Sequence, residues 1–267
     1  MKSRIISFIV LACLCFACAT VPVTGRKQLS LVPNEEIIAQ SAVEYKKVLA
    51  QSKLSSNQEQ VAMIRSVGSR IEKAVESYMA QKGLSAELNG FAWEFNLIED
   101  DKTANAWCMP GGKVAFYTGI LPICKDETGV AIVMGHEVAH AIANHGRERM
   151  SEAMLANGLL GSLSSAMGQN PSLTQQLLLQ SLGIGAQVGM LKFSRENESE
   201  ADHIGLIFMS MAGYDPREAP KFWERMQSMS GGGAPPEWLS THPSHTTRIR
   251  DLEKWIPEAE SYKKQMP

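Results

Sequence analysis

The chain lacks an excess of either charge: 26 Lys and Arg stand against 28 Asp and Glu in 267 residues, a formal net charge of −2. No basic cluster breaks that balance, so the electrostatic footprint of a nucleic-acid binder is missing. No internal repeat is found, and no helical-repeat binding domain is expected beyond Trp255. Cysteine is sparse. Of five, Cys13, Cys15 and Cys18 crowd the N-terminus, leaving Cys108 and Cys124 for the rest of the chain. At most one disulfide joins those two, and a pair of buried free thiols stands equally open, because spacing does not say whether their β-carbons meet. The apolar run Ile5–Ala17 is too short for a settled membrane span.

That run has a different reading. Lys2 and Arg4 precede it and no stop-transfer flank follows, the pattern of a secretory signal peptide over residues 1–17. Phe16-Ala17-Cys18 has the form of a lipobox, with Cys15 where Leu is usual. Cys18 is then expected as the first mature residue, lipidated, and Ala19 behind it favours sorting to the outer membrane on the periplasmic side. A plain secreted protein cleaved near Ala19 is the alternative. Residues 18–30 are expected to form a mostly polar tether, and 31–267 one catalytic domain large enough for a well-buried core.

Histidine is scarce too, six in all, which makes His136-Glu137-Val138-Ala139-His140 informative. Two histidines four apart on a helix lie about 40° apart around its axis, close enough to share one metal ion. Glu137 sits off that face, where it can polarise water without being a ligand. The surrounding stretch Thr128–Met150 reads as helix, apolar on nearly every side through Val130, Ile132, Val133, Val138 and Ile142.

Two histidines do not complete a catalytic zinc site. The metzincin pattern asks for Gly at 143 and His at 146, where Ala143 and Gly146 stand. His145 would point away on a continuous helix, about 140° from His140, and is expected to be solvated or hydrogen-bonded. The better candidates are Glu198 and Asp202, one turn apart in Ser194–Asp202. Glu198 is expected to bind the metal, and Asp202 to accept the spare ring N–H of His136 and fix its tautomer.

Five blocks in this order resemble the bacterial envelope branch of the zinc metallopeptidases related to the CAAX prenyl endopeptidase and the mitochondrial inner-membrane stress peptidase. They are Pro22–Gln28, Asn105–Gly112, His136–His140, Ser194–Asp202, and Thr241-His242-Pro243 with Arg248-Ile249. The resemblance implies one Zn²⁺ per chain held by His136, His140 and Glu198, with Glu137 as general base. Cys108 departs from it, standing where a small apolar residue is more usual. The implied fold is α+β: a mostly helical, zincin-like (gluzincin) domain with a small antiparallel sheet beside the HExxH helix.

Elsewhere, Glu35–Gln51 and Asn57–Lys82 keep helical spacing, and Phe91–Ile98 and Lys113–Thr118 read as strands. In zinc peptidases an edge strand near the metal pairs with extended substrate, and Lys113, Val114, Ala115 and Phe116 are the candidates for that template. Asn105 is either a substrate contact or a turn residue satisfying its own backbone. Ser151–Phe193 suggests two further helices packed on the core, or a mobile lid. Gly231–Pro236 reads as a hinge ahead of His242, which could donate to an oxyanion or fill the open zinc position in a self-inhibited resting state. Arg248 would orient site carboxylates, or make an ordinary surface ion pair.

Together these imply a zinc endopeptidase acting on extended or misfolded envelope proteins. A chaperone or outer-membrane assembly factor with gated proteolysis is the alternative. Expected partners are unfolded polypeptide, a membrane through lipidated Cys18, and outer-membrane assembly machinery, with nucleic acid excluded.

Overall fold

The computed structural model describes residues 18–156, 177–180, 193–229, 237–242 and 247–264. The leader over 1–17, most of Ser151–Phe193 and the hinge Gly231–Pro236 lie outside the described residues.

The N-terminal segment is not a tether. β1 (Cys18–Thr20) and β2 (Lys27–Leu29) pair antiparallel as a hairpin. Val21 is fully buried and Gln28 is 3% exposed, so the hairpin is packed onto the domain. The polar composition that suggested a tether instead makes ion pairs, described below.

Two long helices follow, α1 (Asn34–Gln51) and α2 (Gln58–Gln81). The Asn57 side chain caps α2 by accepting from the Gln60 amide. Its buried face runs Ile64, Val67, Ile71, Val75, Tyr78 and Met79, at the spacing an amphipathic helix needs. Gly68 lets the helix touch the sheet: a β-carbon there would lie 2.4 Å from the Phe95 ring.

β3 (Glu94–Ile98), β4 (Ala106–Met109) and β5 (Lys113–Tyr117) form a three-stranded sheet in the order β3-β5-β4. β5 runs parallel to β3 and antiparallel to β4, so the small sheet is mixed. β5 lies in the middle, with both edges hydrogen-bonded. It therefore cannot be the edge expected for Lys113–Phe116, and β4 is the outer strand on the side of the HExxH helix.

After the short α3 (Leu121–Cys124), α4 (Glu127–Ile142) carries His136-Glu137-Val138-Ala139-His140. Asp126 caps it by accepting from the Gly129 amide, and every residue from Gly129 to Ile142 is buried. Such a helix is apolar all round because it is wrapped all round. It does not run on to Met150: Asn144 takes φ +58°, and α5 (His145–Ala156) starts in a new direction. α6 (Arg195–Met211) begins with a capping box between Ser194 and Asn197. It crosses α4 where two glycines meet. A β-carbon on Gly135 would lie 2.8 Å from the Gly205 carbonyl oxygen, and one on Gly205 2.8 Å from the His136 amide. α7 (Glu218–Met229), α8 (Glu237–Thr241) and α9 (Arg248–Lys263) close the fold around this pair. Among the described residues no helix is long and apolar enough to cross a membrane.

The architecture is the mostly helical α+β arrangement expected from the sequence. Cys108, in β4, and Cys124, in α3, are buried free thiols.

Candidate metal centre

The close crossing of α4 and α6 brings His136, His140 and Glu198 to one point, and His242, just past α8, joins them. One ligand atom from each of the four lies within 4.8 Å of the others. His136 Nε2 is 3.0 Å from His140 Nε2 and 3.2 Å from His242 Nδ1. Glu198 Oε1 is 2.9 Å from His242 Nδ1 and 3.5 Å from His140 Nε2. All four side chains are buried.

The protons on these rings can be assigned from what faces them. His136 Nδ1 lies 3.0 Å from Asp202 Oδ1, and a carboxylate only accepts, so Nδ1 carries the proton. The Nε2 lone pair of His136 then points into the cluster. His145 Nε2 faces Glu200 Oε2 at 2.9 Å and carries its proton there, leaving Nδ1 to accept from His140 Nδ1 at 2.8 Å. His140 Nε2 is thus also a bare lone pair, 3.0 Å from that of His136. Two lone pairs at that distance repel unless a cation lies between them. Glu198 Oε2 is a buried acceptor that makes no hydrogen bond and has the Arg248 guanidinium 3.2 Å away. Two imidazoles and a carboxylate with a third imidazole at tetrahedral count fit one zinc ion.

Electrostatics point the same way. Burial pushes His136 and His140 well below the usual imidazole range, which keeps them neutral. Burial alone would raise the Glu198 carboxyl, but the neighbouring His242 and His140 imidazoles and the Arg248 guanidinium hold it well below its ordinary value. Glu137 is pushed up to about 7, chiefly by burial, against the opposing pull of His242 and Trp238. It stands beside the cluster and lines a narrow cleft with Cys108, Pro110, Asn144 and Phe193.

Arg248 is fully buried, so it is not the surface ion pair that was one of its two readings. Its guanidinium lies over the Trp223 ring at 3.2 Å, with Nη2 2.6 Å from Asp202 and Nη1 3.2 Å from Glu198. Asn105 is buried at the start of β4 and accepts from the Ala106 amide through its own side chain. It is not among the four clustered residues. Lys113 Nζ is engaged by the Ala92 carbonyl and by Glu94. Val114, Ala115 and Phe116 are fully buried in the central strand.

Four participants escaped the sequence reading. Trp238 donates its indole N–H to Glu137 Oε1 at 2.6 Å; it precedes His242 by one helical turn, a signal that was available. His145, expected to face away, is fully buried against His140 because the break at Asn144 re-aims it. Glu200 and Arg26 stand behind it. Arg26 is far away in sequence, and no local pattern places it here.

Comparisons with known proteins agree with this geometry. Residues 66–256 match the model of peptidase family M48. The mitochondrial metalloendopeptidase OMA1 of Schizosaccharomyces pombe is 38% identical over 191 residues, 71% of this chain and 53% of that protein. The human mitochondrial metalloendopeptidase OMA1 is 32% identical over 245 residues, 89% of this chain and 46% of its own. The Escherichia coli beta-barrel assembly-enhancing protease is 32% identical over 165 residues, 60% and 33%. The chain thus spans about half the length, or less, of these curated relatives. Relatives named as mitochondrial, from fungi, a plant and vertebrates, overturn the expected periplasmic, outer-membrane location. The matched segment contains the zinc cluster residues His136, His140 and Glu198 and, with His242 and Arg248, all of its immediate surroundings on α4 and α6: the chain belongs to peptidase family M48.

Proposed function

We propose that the chain is a zinc-dependent endopeptidase that cleaves extended or unfolded polypeptide in protein quality control. The observation that carries this is Glu137, an unliganded buried carboxylate standing beside a His136–His140–Glu198 cluster. A purely structural zinc site has no use for such a group. His136, His140 and Glu198 would hold zinc, which when bound would supply Lewis acidity to a scissile carbonyl and make water more acidic. Glu137 takes the proton of the attacking water and passes it to the leaving amine, a task suited to a carboxyl raised to about 7. Asp202 and Arg248 hold His136 and Glu198 in place.

The site is closed as it stands. His242 fills the fourth position of the cluster, and Trp238 ties up Glu137. The Trp238 amide also donates to the Ala104 carbonyl, 3.1 Å away, at the approach to β4. α8 therefore covers both the catalytic groups and the start of the outer strand that substrate backbone would join. Withdrawal of α8 frees Glu137, opens the fourth position and lets His242 donate to the developing oxyanion.

A leader over residues 1–17 and membrane attachment through Cys18 belong to this proposal, supported by Ile5–Ala17 and Phe16-Ala17-Cys18. The intact mass of the mature chain tests them. The closed site and the name of the Escherichia coli relative favour a second reading, an assembly factor with gated proteolysis. Glu137→Gln separates the two. Loss of the cellular function with loss of cleavage supports the peptidase, and retention of that function supports the assembly factor.

A further inference from the structure

The N-terminal hairpin reaches the metal cluster by one continuous chain of hydrogen bonds. Arg26, in the turn between β1 and β2, places Nε 2.8 Å from Glu200 Oε2. Its Nη1 and Nη2 each donate to Glu148 at 2.7 Å, a bidentate clasp. The Thr24 hydroxyl donates to the other Glu200 oxygen, and Asn197 donates to Glu148 at 3.0 Å. Glu200 Oε2 accepts from His145, and His145 accepts from His140, whose far nitrogen enters the cluster. Every member from Glu200 inward is buried, and Arg26 is only partly exposed.

We infer that Arg26 is a positioning residue for the zinc ligand His140, acting through Glu200 and His145. The argument is one of orientation. His136 has a carboxylate, Asp202, directly behind its Nδ1. Among the described residues no carboxylate stands behind His140 Nδ1, which faces a second imidazole that can accept only if its own proton is drawn to the opposite nitrogen. Glu200 does the drawing. Glu200 is in turn oriented by Arg26 and Thr24, which occupy both of its oxygens. With Arg26 removed, Glu200 can rotate away, His145 can adopt the other tautomer, and His140 Nε2 is no longer held as a bare lone pair. Outer partners of this kind typically contribute about 10–100-fold to metal affinity. The N-terminal hairpin thereby sets the affinity of a site built from α4 and α6.

The inference rests on the reading of the cluster as a zinc site, and its test reads metal affinity rather than cleavage. Zn²⁺ affinity of the full chain is measured by competition with a chromophoric chelator for the parent, Arg26→Met, Arg26→Lys, His145→Gln and the double variant Arg26→Met/His145→Gln. The absorption of the Co²⁺-loaded proteins is recorded beside it. The expected result is about tenfold or more weaker binding and a changed Co²⁺ spectrum for Arg26→Met, partial rescue by Arg26→Lys, and a double variant no weaker than His145→Gln alone. Should Arg26→Met fail to fold, Thr24→Val removes one hold on Glu200 from an exposed position and is expected to weaken binding in the same direction. Unchanged affinity in these variants overturns the inference, as does an additive double variant. A lowered melting temperature with parent-like affinity also overturns it, because it makes the network merely structural. A parent that binds one zinc and cleaves nothing contradicts the peptidase reading and leaves this inference untouched.

Discussion

The indole N–H of Trp238 donates to Oε1 of Glu137 across 2.6 Å, in a chain where the two residues are 101 positions apart. The same short helix delivers His242 to the metal cluster one turn later. One element therefore occupies the proposed general base and the fourth metal position together, and releasing it releases both.

Trp238→Phe keeps an aromatic ring on Trp223, whose centroid lies 5.0 Å away, but removes the donor. Cleavage of an unfolded substrate is expected to rise. Stability is expected to fall by about 1–3 kcal/mol, since the lost hydrogen bond is a buried one to a carboxyl group. Casein turnover and a urea denaturation curve check the two halves. Slower cleavage would place Trp238 in the substrate site rather than in the closure.

The glycine crossing fixes the distance between the two halves of the metal cluster. Gly205→Ala sets a methyl 2.8 Å from the His136 amide, where only backbone can yield. A cost of roughly 1–3 kcal/mol is expected from overpacking, together with a loss of bound zinc as α4 and α6 separate. Thermal unfolding and metal content of the purified variant measure both.

Asp202→Ala removes the carboxylate that accepts from His136 Nδ1 and one of the two carboxylates at Arg248. Zinc affinity is expected to drop about 10–100-fold by chelator competition. A drop below twofold would mean that His136 needs no orienting partner.

Arg248→Met leaves Glu198 and Asp202 buried without their cation. The metal-free protein is expected to lose about 3–5 kcal/mol, the usual cost of stranding a buried charge. Zinc, which also neutralises Glu198, should restore part of that loss, so the zinc-induced rise in melting temperature is larger in the variant than in the parent.

α1 and α2 were legible because each buries a periodic face: Ile64 through Met79 gave α2 to within a residue or two at either end. The HExxH helix was legible from its spacing alone. Its end was not, since a single residue, Asn144, turns the chain through positive φ and defeats the wheel geometry that sent His145 outward. The strand Lys113–Tyr117 was legible as a strand, but not as a central one. Pairing partners are set by tertiary contacts, and β4 carries too short a run to announce itself. The hairpin was misjudged for a related reason. Arg26 and Thr24 look like tether residues until Glu148 and Glu200, more than a hundred positions away, are placed opposite them. Local composition reports the residue and not its partner.

The central claim is a zinc endopeptidase held shut by its own C-terminal segment. The most direct test is casein cleavage by the parent, Glu137→Gln and His242→Ala, with zinc counted in each. The account predicts about one zinc in the parent and in Glu137→Gln, cleavage abolished by Glu137→Gln, and faster cleavage by His242→Ala. Full zinc with no cleavage in any of the three, His242→Ala included, would contradict it.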